Sequence, residues 1–195
     1  MTDPARTRAP RRRAVFLDRD GTLTEPRHYP SRPDDLVLQA GVGPPLRTLR
    51  RHGFALIVVT NQSGLARGLI DEAAVEPMHR RLRELLARHR VQLDGIYLCP
   101  HHVTGIVPRL SIACSCRKPA PGMLHRAADE LGCDLSSSWM VGDSRCDIDA
   151  GHRAGTRTVL VGPRLLAGAA PTLHRTTTAR ALRAVASAES LPVGE

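Results

Sequence analysis

Ala14-Val15-Phe16-Leu17-Asp18-Arg19-Asp20-Gly21-Thr22-Leu23 is the stretch on which the reading of this chain turns. Four apolar residues run directly into an acid. A short apolar run of this kind reads as a strand buried on both faces, and the carboxyl ends of such strands are where α/β folds bind ligands. Asp18 and Asp20 stand two residues apart at that end. Bringing like charges together out of water is costly unless a cation compensates, so the pair implies a metal, and hard Mg²⁺ is the natural choice for carboxylate oxygens. Gly21 lets the backbone turn away sharply, and Thr22 offers a hydroxyl nearby.

Working outward, residues 54–60 (FALIVVT), 95–98 (GIYL), 139–142 (WMVG) and 157–161 (RTVLV) repeat the pattern, each separated by enough chain for a helical crossover. The alternation predicts an α/β fold with a doubly wound, Rossmann-like parallel sheet. Residues 44–52, opening on Pro44-Pro45, and 122–131, stopping before Gly132, read as crossover helices. From Asp71 to His89 the apolar positions Val75, Met78, Leu82, Leu85 and Leu86 form a helical stripe assigned to the core. Pro77 interrupts it and predicts a kink, or a short turn over 72–76 before the main helix. After residue 163 only a weak helix around 178–188 is legible.

A chain of 195 residues is one ordinary domain, placed at 14–190, with a composition typical of globular proteins. The net charge is +9, and all but one of the 28 lysine and arginine residues are arginine, Lys118 being the exception. Arg6, Arg8, Arg11, Arg12 and Arg13 against Asp3 alone put close to half of that charge on residues 1–13, read as a disordered basic tail. The apolar run at Ala14–Leu17 is too short for a signal peptide or a membrane span, so no membrane partner and a cytoplasmic location are expected. Five cysteines, an odd number, without an export signal argue against a disulfide framework.

Two further strand ends supply matching chemistry. Thr60-Asn61 closes the second strand with a hydroxyl and backbone N–H groups able to hold a phosphate oxygen. Gly142-Asp143-Ser144-Arg145-Cys146-Asp147 closes the 139–142 strand with two acids four apart. Lys118, in Arg117-Lys118-Pro119, is a compact charge suited to a transferring phosphoryl group. Cys99-Pro100-His101, then twelve residues, then Cys114-Ser115-Cys116 brings four ligands in two close pairs, a spacing that suits tetrahedral zinc in a structural role. His102 reads as an exposed neighbour of that site, and Cys133 and Cys146 as packing residues or incidental thiols.

The ordered set DxDGT, T-N, K and GDxxxD resembles the haloacid dehalogenase (HAD) superfamily of phosphatases over roughly residues 14–162. The resemblance implies a HAD-like core in which Asp18 is the nucleophile, forming an aspartyl-phosphate. It makes Asp20 the acid and base, its protonation favoured by crowded anionic surroundings, while Thr60 and Lys118 hold the phosphate. Mg²⁺ would be bound by the Asp18 carboxylate, the Asp20 carbonyl and the Asp143 carboxylate, with Asp147 behind Lys118 or the metal waters. The zinc loop and the strings FLDRDGTL, FALIVVTNQSGLARG, LDGIYLCPHH, CRKPAPGML and MVGD narrow the resemblance to the group of heptose-bisphosphate and histidinol-phosphate phosphatases. The long insert between His101 and Cys114 favours D-glycero-D-manno-heptose 1,7-bisphosphate as substrate, with histidinol phosphate the alternative. Asn61, Gln62, Ser63, Arg117 and Tyr29 are then the substrate-binding candidates.

Only 39 residues separate Asp20 from Thr60, and 57 separate Thr60 from Lys118, too few for a large cap domain. An open site shaped by the 25–35 loop and the zinc loop is expected, on a monomeric scaffold with a small phosphorylated sugar as partner. Ser144 departs from the group, where a lysine usually follows the motif aspartate. The rival from another class is a nucleic-acid-binding zinc module; 3% aromatic residues leave little for base stacking.

Overall fold

None of the four residues of the first strand, β1 (Ala14–Leu17), reaches solvent in the computed structural model, which describes residues 11–191. Alternate side chains point to opposite faces. Val15 and Leu17 join one core, Ala14 and Phe16 the other. The remaining strands are β2 (Ala55–Asn61), β3 (Gly95–Cys99), β4 (Trp139–Gly142), β5 (Arg157–Val161) and β6 (Leu173–Arg175). They form one parallel sheet in the order β3-β2-β1-β4-β5-β6.

Helices cover both faces. The core holding Val15 and Leu17 is closed by Leu46 and Leu49 of α1 (Gly43–Arg51), Met78, Leu82 and Leu86 of α3 (Val75–Ala87), and Leu182 and Val185 of α6 (Thr178–Ala188). The other face is closed by Met123, Leu124 and Ala127 of α4 (Gly122–Leu131) and Ala150 and Ala154 of α5 (Arg145–Ala154). A single turn, α2 (Ser63–Ala66), follows β2. Each fully buried Leu, Ile or Phe contributes about 1.5–3 kcal/mol, against about 0–1 kcal/mol for an exposed ion pair, so the sheet and its two cores carry the stability. No helix among the described residues is long and apolar enough to cross a membrane.

The strand order reverses between β1 and β4, and there the carboxyl ends diverge into a crevice. Asp18 and Asp143 are the first residues beyond those two strands. No lid domain interrupts the described residues. Instead, Glu25 N–H donates to Val37 O and Gln39 N–H to Leu23 O, making a narrow flap that carries the 26–36 loop.

Some boundaries differ from expectation. Residues 1–10 of the basic tail lie outside the described residues, but Arg12 and Arg13 belong to the fold. Arg12 N–H donates to Gly132 O and Arg13 O accepts from Ala55 N–H, while the Arg13 guanidinium lies over the Phe54 ring and pairs with Glu189. Pro77 produces the short turn rather than a kink. A 3-10 turn spans Glu72–Ala74, and Pro77 is the third residue of α3, where its missing N–H has no intrahelical acceptor to lose. Strand β6 was not legible: three half-buried residues without an apolar run become a strand only by pairing with β5.

Candidate active site

The carboxylates of Asp18, Asp143 and Asp147 offer one oxygen each within 4.8 Å of one another. Two glycines permit this. A Cβ on Gly21 would stand 2.2 Å from Asp143 Oδ2, and φ at Gly21 is +87°, so the turn after Asp20 requires glycine twice over. A Cβ on Gly142 would stand 2.3 Å from the Asp147 side chain.

Lys118 enters the cluster from the loop before α4, buried to 1% side-chain exposure. Its Nζ donates to Asp18 Oδ1 at 2.6 Å and to Val59 O at 2.7 Å, and makes a 2.7 Å ion pair with Asp147 Oδ1. Asp147 is fixed from behind: it is the third residue of α5, and its Oδ2 accepts from Ser144 N–H at 3.0 Å and from the Ser144 hydroxyl in a capping box. Asp147 is thus the partner of Lys118. Ser144, where a lysine was the usual residue, is spent on this cap.

Three carboxylates against one ammonium leave a deficit of two positive charges, the charge a divalent ion brings. Burial pushes the Asp18 carboxyl up to about 7, with Lys118 opposing and Asp147 adding to the shift. Burial and then the Asp147 charge push Asp143 up to about 6. Burial also works against the Lys118 charge, but Asp147 and Asp18 outweigh it and hold the ammonium above its ordinary range. Asp18 and Asp143 are therefore the carboxylates that fit a magnesium ion, since Asp147 is committed to Lys118 and Ser144.

Asp20 does not lie in the crowded anionic surroundings expected from sequence. Its carboxylate turns from the cluster to the buried Arg19, which donates from Nε to Oδ1 at 2.9 Å and from Nη2 to Oδ2 at 2.7 Å, while Gln62 Nε2 donates to Oδ2 at 3.0 Å. Gln62 Nε2 also donates to Thr60 Oγ1 at 2.8 Å. Asn61, expected to face substrate, has both amide atoms on the main chain of Lys118: Nδ2 donates to Lys118 O and Oδ1 accepts from Lys118 N–H, each at 3.1 Å. Tyr29 packs with Leu65 and Ile70 and thereby ties the flap loop to α2. Ser63 opens α2.

Beyond β3 the zinc loop brings Cys99, His101, Cys114 and Cys116 together. Cys116 Sγ is 3.2 Å from Cys99 Sγ, 3.3 Å from Cys114 Sγ and 3.3 Å from His101 Nδ1; the Cys99 to His101 edge is 3.8 Å. Ligands at about 2.1–2.3 Å from a tetrahedral zinc stand roughly 3.4–3.8 Å apart, so the donor set and its size fit that ion. None of the five cysteines is in a disulfide. Arg117, the residue after this cluster, donates from Nη1 to His101 O at 3.3 Å and so is anchored to the loop. His102 is half-buried and engaged, not an idle neighbour: its Nδ1 accepts from Thr104 N–H at 3.1 Å, and Arg67 Nη2 lies 3.2 Å from Nε2.

Residues 115–163 match the HAD-hydrolase-like family. The D-glycero-beta-D-manno-heptose-1,7-bisphosphate 7-phosphatase of Escherichia coli K12 is 46% identical over 145 residues, 74% of this chain and 76% of that protein. The chain belongs to this phosphatase family. A second member, from Rhodopseudomonas palustris, is 38% identical over 147 residues, covering 75% of this chain and 82% of its own. The D,D-heptose 1.7-bisphosphate phosphatase from B. bronchiseptica, solved with magnesium and phosphate, superposes with a TM-score of 0.76 at 28% identity, covering 90% of this chain and 99% of that one.

Within this heptose-bisphosphatase frame, two engaged residues escaped the sequence reading. Arg19 lies inside the DxD motif and Arg67 inside the string FALIVVTNQSGLARG, but in so arginine-rich a chain neither stood out. Stripping zinc with a strong chelator is expected to release about one equivalent of metal and to raise amide exchange across residues 99–118, because the four ligands are what tie that loop into a unit. Retention of the loop's protection after metal release would remove the structural role.

Proposed function

We propose that this protein is a magnesium-dependent phosphatase that hydrolyses the 7-phosphate of D-glycero-D-manno-heptose 1,7-bisphosphate through an aspartyl-phosphate on Asp18. The observation that carries the reading is Lys118 Nζ held 2.6 Å from Asp18 Oδ1, beside Asp143. A carboxylate and a phosphate dianion repel, and the attack needs positive charge on both. The Asp18 and Asp143 carboxylates and the Asp20 carbonyl would hold magnesium, which when bound would supply part of it as a Lewis acid. Lys118 supplies the rest, oriented by Asp147 and by the Asn61 clamp on its main chain.

In the first step an Asp18 oxygen forms a bond to phosphorus and the bond to the sugar oxygen breaks. The leaving oxygen takes a proton from Asp20. In the second, water loses a proton to Asp20 and attacks phosphorus, and the Asp18 carboxylate departs. For either step Asp20 must turn from Arg19 and Gln62, which occupy its oxygens in the structure. Thr60 and Lys118 hold the phosphoryl oxygens, and Gln62, Ser63, Arg117 and Tyr29 shape the substrate side. The open site supports action as a monomer on a small diffusible substrate in the cytoplasm. A nucleic-acid role has no comparable support, because the zinc ligands serve a loop that ends on Lys118.

The deciding assay compares kcat/KM for heptose 1,7-bisphosphate and for histidinol phosphate on the magnesium-loaded enzyme. A preference for the bisphosphate of about 100-fold is expected, since a second phosphate adds charge-assisted hydrogen bonds worth about 1.5–3 kcal/mol each. The reverse ranking transfers the assignment to histidinol phosphate.

A further inference from the structure

Arg19 is 2% exposed, and Asp20 is the one carboxylate that pairs with it among the described residues. The acid and base steps proposed for Asp20 require that carboxylate to turn away. A guanidinium left buried without an acceptor is costly, so the turn needs a second acceptor for Arg19 as well as a place for Asp20.

His79, on α3, is a buried group to which the reaction at Asp18 gives no part. It is 7% exposed, and its Nε2 is buried without a hydrogen-bond partner. His79 and Arg19 line one cavity of about 10 Å³, together with Gln62 and the apolar walls of Pro30, Leu65 and Met78. That is about the room of one water molecule, enough for one end of a guanidinium to shift. The ring is an acceptor. Its Nδ1 faces the Glu76 carboxylate at 3.9 Å, which puts the ring hydrogen on Nδ1 and leaves the Nε2 lone pair free. Burial, then the charge of Arg19, push the imidazole down to about 4, so it stays neutral beside the guanidinium.

We infer that His79 is a positioning residue for Asp20, its Nε2 providing the berth onto which the Arg19 guanidinium moves when Asp20 turns to the reacting phosphate. Gln62, the other donor to Asp20, retains Thr60 Oγ1 as its partner through that exchange. Without the berth Asp20 stays on Arg19, and both of its proton transfers slow. Attack by Asp18 on a phosphate whose leaving group needs no proton does not slow. The inference rests on the acid and base role proposed for Asp20, but not on which sugar is turned over.

The test uses the zinc- and magnesium-loaded enzyme in rapid-mixing assays with p-nitrophenyl phosphate, whose leaving group departs without a proton. His79→Leu is expected to release the first equivalent of p-nitrophenolate at near the wild-type rate and then to turn over about tenfold more slowly or worse, with phosphoenzyme accumulating. His79→Gln, whose amide oxygen restores an acceptor, is expected to recover most of that rate. Inhibition by inorganic phosphate is expected to be unchanged and the thermal midpoint not to fall. Normal steady-state turnover in His79→Leu overturns the berth, as does a His79→Gln variant no faster than His79→Leu. Equal slowing of release and turnover with a lowered midpoint also overturns it, by reducing His79 to packing. Asp20→Asn, run alongside, separates the two readings. Phosphoenzyme that accumulates in Asp20→Asn but not in His79→Leu overturns the berth alone, whereas normal turnover in Asp20→Asn overturns the acid and base assignment and the berth with it.

Discussion

Asp18→Asn is expected to fold normally and to turn over at or below about 10⁻⁴ of the wild-type rate, because an amide oxygen cannot open the covalent route. The fold should survive. Asn is nearly isosteric with Asp, and the substitution removes a charge that burial and Asp147 already oppose. Loss of the Lys118 pairing acts in the other direction, but Lys118 keeps Val59 O and Asp147 as partners. Phosphate release, far-ultraviolet circular dichroism and trapping of the phosphorylated enzyme report on the prediction together. Turnover above about 1% with a folded protein would remove Asp18 from the nucleophile's role.

The second large effect belongs to Lys118. Methionine matches its length without its charge, so Lys118→Met leaves Asp147, at 1% side-chain exposure, and Asp18 without their cation. Breaking a buried pair from one side costs about 3–5 kcal/mol, which for a domain of this size lowers Tm by roughly 10 °C in the metal-free enzyme. The double variant Lys118→Met with Asp147→Asn should recover part of that loss, since the stranded charge goes too. Activity should fall about 10³-fold or more even with saturating magnesium, through lost stabilisation of the transferring phosphoryl group. Calorimetry with and without magnesium, alongside kcat, separates the two contributions. An unchanged Tm together with near-normal kcat would show that the charge at Lys118 serves neither purpose.

Asp18, Asp143, Lys118 and the four zinc ligands could be named before any coordinates, and for a common reason. Each stands at the end of an apolar run or in a close pair of ligands, patterns that reflect local spacing. Residues such as Arg19, Asn61 and Arg67 follow a different logic. Adjacent side chains such as Arg19 and Asp20 diverge in a strand; here they meet because the chain closes a tight loop, with Thr24 N–H donating to Arg19 O and Gly21 at positive φ. Asn61 meets the main chain of Lys118 across 57 residues of sequence. Arg67 acquires its surroundings only when the zinc loop settles on Ala66 O.

By itself the sequence determined the alternation of strands and helices, the acids at the strand ends, the Cys/His set that the fold gathers and the short spacings that leave little room for a lid, because all of these are written in hydrophobic period and spacing along the chain. Tertiary structure alone decided that Asp20 pairs with Arg19 rather than with the anionic cluster, that Asp147 and Asn61 serve Lys118, and that β6 completes the sheet. Those choices depend on which partners the fold brings within about 3 Å, a distance that hydrogen bonds and ion pairs require and that no spacing along the chain encodes.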